Sequence, residues 1–132
     1  MDTIDVAHRY QALSTSLAKN QHNFAVNWTI TDAGGDILEE LQVVFPAGHA
    51  GLTGVRVNYG GVTILPWNMP TTFLYGDNER QTYQMGIYVS GPLQVVFTNN
   101  DNVLHTFQLV AKTANVTPPP TVPTPIALLS LP

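Results

Sequence analysis

The chain has 132 residues, a length that suits one domain, since domains commonly hold about 100–150 residues. It has a formal charge of -4, no cysteine, and only five basic residues, Arg9, Lys19, Arg56, Arg80 and Lys112, which are scattered. This excludes disulfides and thiolate metal sites and argues against nucleic acid, because phosphate binding takes clustered cations.

Charged residues are 11% of the chain against the roughly 25% of an ordinary soluble domain. Polar surface must come from Asn, Gln, Thr and Ser, and a weakly charged surface resists association poorly. That suits a component of an assembly. The start, MDTIDVAHRYQ, carries no basic region followed by an apolar one, so no secretory signal is expected there. No apolar run approaches the roughly 18 residues a membrane helix requires, so no membrane partner is expected.

In chain order, residues 1–20 are expected to form a helical arm. Val6, Tyr10, Leu13 and Leu17 recur at i, i+4, i+7 and i+11, which places them on one helical stripe. Asp2 or Thr3 can cap the start, and Lys19 with Asn20 suits the end.

From Phe24 the period changes to two: Phe24, Val26, Trp28 and Ile30 alternate with small or polar residues, as in a half-buried strand. After the turn at 32–36, a second strand covers Ile37 to Phe45, followed by the loop Pro46-Ala-Gly-His-Ala-Gly51. Leu52–Tyr59 and Val62–Leu65 flank Gly60-Gly61, a hairpin signal because glycine adopts positive φ without steric cost. Further strands are expected at about Thr72–Tyr75, Gln81–Ser90, Leu93–Thr98 and Val103–Ala111. Many short strands without interleaved helices predict an all-β antiparallel sandwich, or a closed barrel, over residues 21–114.

Residues 115–132 form a separate extended tail in this reading. The prolines of Val116-Thr-Pro-Pro-Pro-Thr-Val-Pro-Thr-Pro125 remove amide donors and favour polyproline-like chain. Ile126-Ala-Leu-Leu-Ser-Leu131 is apolar. Such a tail either folds back on its own domain or lies in a groove of a neighbouring subunit; the second reading is favoured.

Chemistry is scarce. No nucleophile elbow, phosphate loop or zinc-ligand spacing occurs, and the four histidines, His8, His22, His49 and His105, fall on separate elements. His105 alternates in phase with Val103, Phe107 and Leu109 and is expected to be a hydrogen-bonded core residue. His49, between glycines, is expected to be more exposed. The turn acids Asp32, Asp36, Glu39, Glu40, Asp77 and Glu79 lack an EF-hand spacing and read as solvated side chains. The acceptor patterns Asn27-Trp-Thr29 and Asn115-Val-Thr117 read as chance matches without a secretory signal. No enzyme activity, cofactor or metal is expected. Trp67, with Phe73 and Tyr75 nearby, is open to three roles: capping the sandwich, anchoring a protein contact, or stacking on a sugar.

The run Phe45-Pro-Ala-Gly-His-Ala-Gly-Leu-Thr-Gly54, with Tyr59-Gly-Gly, Ile64-Leu-Pro-Trp67, Tyr75-Gly-Asp77 and His105-Thr-Phe107, resembles small jelly-roll minor structural proteins of tailed-phage virions: capsid decoration and head–tail or fibre-associated proteins. The likeness covers about the central two-thirds of the chain. It implies an eight-stranded jelly roll, self-association around a symmetry axis, no enzymatic activity, and a place in the virion after synthesis in the host cytoplasm. The expected function is therefore a non-enzymatic virion structural protein that binds itself and other virion proteins. Its expected contacts are Val6, Tyr10, Leu13 and Leu17 on the helix, Trp67 in its loop, and Ile126, Leu128, Leu129 and Leu131 in the tail. The alternative is a carbohydrate-binding or host-adhesion module using the loop aromatics.

Overall fold

The fold follows from a period-two burial pattern that is clearest in its longest strands. The structure, a computed structural model, describes residues 7–31, 35–69 and 71–115. The described residues form strands β1 (Ala7–Leu17), β2 (Phe24–Trp28), β3 (Asp36–Phe45), β4 (Thr53–Tyr59), β5 (Val62–Leu65), β6 (Leu74–Tyr75), β7 (Glu79–Val89), β8 (Leu93–Asn99) and β9 (His105–Asn115), and contain no helix. Two antiparallel sheets pack face to face as a sandwich: β1-β9-β3-β7 and β2-β8-β4-β5, with β6 pairing β4 beside β5.

The pairing is nested. The first strand lies on the last, β2 on β8, β3 on β7, and β4 on β5 and β6. Nearly every pairing is therefore long-range, so each strand is held by partners distant in sequence. The core between the sheets contains Phe45, Phe97 and Phe107, with Leu38, Leu41, Val43, Val55, Val57, Leu93, Val95 and Leu109, all fully buried. The Phe97 and Phe107 ring centroids lie 4.9 Å apart, a separation at which aromatic pairs attract beyond simple burial.

The first segment corrects the sequence expectation. Residues 7–17 are a strand, in register with β9 from Ala7↔Asn115 to Leu17↔His105, not a helix. The helical stripe was one of two periodicities present. Arg9, Gln11, Leu13, Thr15 and Leu17 all turn inward, while His8, Tyr10, Ala12, Ser14 and Ser16 are exposed. The inward positions are partly polar, which hid the alternation, and their polar groups are satisfied by contacts no local pattern reveals. Arg9 donates to Asp36 Oδ2 at 2.6 Å, and Gln11 Nε2 donates to the Ile30 carbonyl at 2.7 Å. Ser14, Thr15 and Ser16 are indifferent helix formers, and pairing along all of β9 outweighs their weak preference.

One buried side chain ties the strand ends together. Asn99, fully buried, donates through Nδ2 to the carbonyls of Ala18 at 3.1 Å and Val103 at 2.9 Å, and accepts from the Asp101 amide at 3.0 Å. It therefore fixes the end of β1 against the turn between β8 and β9. On the outer face of the second sheet, Gly54 leaves room for a close approach: a Cβ there would sit 2.7 Å from Phe73 Cβ and 2.9 Å from Tyr75 Cε1. Phe73 in turn carries the Arg56 guanidinium 4.5 Å from its ring centroid.

The Arg9–Asp36 pair allows a direct check of β1. The Asp36 side chain is only 1% exposed, so removing its cation strands a buried carboxylate. Arg9→Met is expected to lower unfolding free energy by about 1–3 kcal/mol in urea titration, the lower part of the range for broken buried pairs because Arg9 is partly solvated. Adding Asp36→Asn to the same chain should recover part of that loss.

Candidate protein-docking groove

β7 and its opposite wall do not match in length. β7 is an eleven-residue edge strand of the first sheet. Facing it, the edge of the second sheet is broken into β5, of four residues, and β6, of two. Pro66 ends β5 because proline offers no amide to a ladder, and the chain then loops through Trp67, which bridges back to Ile64.

The broken edge cannot cover the inner face of β7. Tyr83, Met85 and Ile87 point inward but stay only partly buried, as does Leu74 of β6. Together with Ile64, Leu65, Pro66, Trp67 and Gln84 they line a groove of about 520 Å³. Its lining side chains are mostly apolar and none is charged. The Trp67 side of the rim is open to solvent, Trp67 itself being 67% exposed. Tyr83 donates its hydroxyl to Gln81 Oε1 at 2.6 Å, and burial, aided by the negative charge of Glu79, raises its phenol pKa above the usual value. The tyrosine is thus neutral and its polar end is already satisfied.

Among the described residues, β7 has no partner on its outer edge. From Gln81 to Val89 it carries no charge, whereas exposed edges are usually blunted by lysine, proline or a bulge. A bulge is present: the register with β3 shifts between Leu38 and Glu40, opposite Gly86 at φ +72°. That bend leaves the stretch from Glu79 to Gln84 in regular pairing with β3.

The expected contact residues scatter. Trp67 stands on the groove rim. Leu13 turns inward and is partly buried, and Leu17 is fully buried in the core, so neither forms an outward face with Tyr10. Tyr10 sits on the other side of β1, exposed, with the Lys112 ammonium 5.9 Å from its ring centroid. Strand geometry, in place of the helix, separates the set. Val6, Ile126, Leu128, Leu129 and Leu131 lie outside the described residues, as does the tail from 116 onward. Trp67 and Tyr75 do not share a platform. Tyr75 packs with Phe73 on the outer face of the second sheet, their ring centroids 6.3 Å apart, while Trp67 lies at the groove. The groove residues Tyr83, Met85 and Ile87 were expected only as strand positions. They meet Trp67 through pairings that no local pattern reveals.

Among the described residues, a cluster of titratable groups that resembles a catalytic relay is closed off at its hydroxyl end. His49, expected in an exposed loop, is 1% exposed and Thr53 is fully buried. The glycine-flanked loop folds His49 inward against Phe45 and Phe107. His49 Nδ1 and Thr53 Oγ1 are hydrogen-bonded at 2.5 Å. The His49 and His105 ring centroids lie 4.4 Å apart, and His105 Nε2 and Asp101 Oδ2 are 2.8 Å apart. Because the hydroxyl at the head of this chain is fully buried, no substrate reaches it, and the cluster serves packing. Among the described residues no group of three or more acids and histidines is placed to hold a metal, and no helix is long and apolar enough to cross a membrane.

The chain matches no protein-family model and no curated protein sequence. Among solved structures it is similar to the coat protein of Tobacco streak virus, solved as a dimer, at a TM-score of 0.39 and 12% identity over 88% of this chain and 92% of that one. At that level the likeness assigns neither a function nor a residue to this chain.

The buried histidine pair predicts a pH dependence. Burial, and then the neighbouring His105, lower the His49 pKa from 6.5, so His49 is neutral in the folded state while the unfolded chain takes up a proton. Its contribution is complete above the unfolded pKa of about 6.5 and is lost as pH falls through the depressed folded value. The hydrogen bond from His105 holds the Asp101 pKa below its usual value, so the stability that bond carries is lost as pH falls through the lowered value. The melting temperature should therefore drop on acidification below about pH 6.5, and the drop should be smaller in His49→Gln, as read by circular dichroism melts across pH.

Proposed function

We propose that this protein is a non-enzymatic structural subunit of a virion, joining identical copies and neighbouring virion proteins through the open side of its sandwich and the segments flanking it. The observation that carries the proposal is the uncharged, mostly apolar groove beside the edge strand β7, whose outer side pairs with no other strand among the described residues. A surface of this kind favours burial against another chain, since apolar area left in water is unfavourable. The weakly charged composition points the same way, because it offers little repulsion between copies.

The finer assignment is capsid decoration or a head–tail or fibre-associated role in a tailed phage. It is supported by the sequence resemblance in Phe45–Gly54 and the motifs after it, and by the nested strand pairing, which is the connectivity of a jelly roll. The absence of chemistry in this proposal rests on the sealing of the His49–Thr53 cluster and on the apolar character of the groove. A glycan-binding role finds less support, because the two aromatics it would use lie on different faces.

Light scattering of the full chain beside a variant truncated after Asn115 tests the proposal. The full chain should form a defined oligomer, and the truncated chain should have a lower mass at equal concentration. A full chain that stays monomeric across the micromolar range argues against assembly from identical copies. Tryptophan fluorescence titrated with a glycan panel then tests the adhesion alternative.

A further inference from the structure

Three features stand outside the roles already given: the buried histidine pair, the exposed aliphatic side chains of Val103 and Leu104 in the turn before β9, and the groove beside β7. Only the groove comes with a segment of this chain whose chemistry matches it. We propose that residues 126–131 of a neighbouring copy add to the free edge of β7 as an antiparallel strand and lay alternate side chains into the groove. The inference rests on the assembly reading above and specifies the contact that makes it.

The match is chemical first. The groove walls, Ile64, Leu65, Trp67 and Leu74 on one side and Tyr83, Met85 and Ile87 on the other, accept apolar groups and offer no charge to a polar partner. Ile126-Ala-Leu-Leu-Ser-Leu131 has no charge and no internal proline, so every amide in it can bond to a strand edge. In extended chain Ile126 and Leu128 face one way and Leu129 and Leu131 the other. One pair can therefore enter the groove while the backbone bonds to β7, as in other cases of strand addition. The regular part of β7, from Glu79 to Gln84, is as long as the six-residue segment. The Gly86 bulge sets where the added strand must begin, beside Gln84, so its first side chains lie next to Tyr83 and Met85 at the groove.

Distance favours a neighbour over the same chain. β9 ends at Asn115, where Ala114 pairs Ile37 and, on the far side of β3, Asp36 pairs Val89. The chain therefore leaves the sandwich two strand spacings from the Val89 end of β7, about 10 Å. A strand entering β7's edge from that end runs opposite to β7, the antiparallel direction. Residues 116–125, with prolines at 118, 119, 120, 123 and 125, span about 30 Å at the 3.1 Å rise of polyproline chain. The near end of the pairing stretch, Gln84, lies five residues down β7 from Val89, so the start of its own site is roughly 20 Å away. β9 and β7 run the same way, so a stiff spacer of about 30 Å would also have to double back to enter it. Such a spacer suits a groove on the next copy.

The test uses full-length chains. One variant, Met85→Glu, places a charge in the groove. The other, Leu128→Asp with Leu129→Asp, disables the segment without touching the sandwich. In light scattering the wild type should form an oligomer and each variant alone should have the mass of one chain. Mixed in equal amounts they should form a one-to-one complex, because one retains a working segment and the other a working groove. A mixture that stays monomeric overturns exchange between copies. If the tail variant keeps the wild-type mass, or if Met85→Glu does so with an unchanged circular dichroism spectrum, then β7 is not the receptor, although the assembly reading survives. If the wild type is itself monomeric, the assembly reading falls and this inference falls with it. Should Met85→Glu fail to fold, a synthetic peptide of residues 124–132 added in excess to the wild type gives the same decision: loss of oligomer mass supports the inference, and unchanged mass overturns it.

Discussion

An eleven-residue strand facing an edge of four residues and two residues cannot be covered along its length, and the surface properties of this sandwich follow from that mismatch. Elsewhere the two sheets close. At the β1 side, the Arg9–Asp36 pair and the Gln11 bond to the Ile30 carbonyl fill the margin with satisfied polar groups. At the turn end, Asn99 joins the end of β1 to the turn between β8 and β9. Among the described residues, the apolar side chains beside β7 reach the margin with little cover, because Pro66 stops β5 and β6 is too short to continue it.

The contrast between the two margins separates fold from function. The polar margin stabilises the chain by itself: the buried Asp36 carboxylate and the Asn99 side-chain amide there have their partners, as interiors require. The apolar margin adds little to the isolated chain, since Tyr83, Met85 and Ile87 gain only part of the burial open to them. Their missing burial is available to a second chain. The same reasoning takes the histidine cluster out of consideration as chemistry, because Thr53 and His49 have no access to solvent. It leaves them a packing role whose strength varies with pH.

Much of the sandwich could be read from the sequence, for physical reasons. β3 and β9 alternate strongly because their inner face is deep in the core, and the hairpin at Gly60-Gly61 has a turn chemistry that few other residues supply. β1 could not be read. Its inward residues Arg9, Gln11 and Thr15 are polar, so the period-two signal was weak, and a coincidental spacing of Val6, Tyr10, Leu13 and Leu17 fitted a helix. His49 was misplaced for a related reason: a glycine-flanked histidine in a loop looks solvated, and only the rings of Phe45, Phe107 and His105 show that the loop folds inward. The groove joins residues about 20 positions apart on opposite sheets, and Trp67 was its one member singled out in advance, as an aromatic in a proline-bounded loop.

The central claim is that the free edge of β7 is covered by another copy. Hydrogen–deuterium exchange of the β7 amides, followed in the full-length chain across a range of protein concentrations, tests it most directly. The account predicts that amides between Arg80 and Ile87 that point away from β3 exchange quickly in dilute solution and become protected as concentration rises, while the outer edge of β1 stays unchanged. Exchange along β7 that is equally fast at every concentration, including those at which the protein is oligomeric, would contradict it.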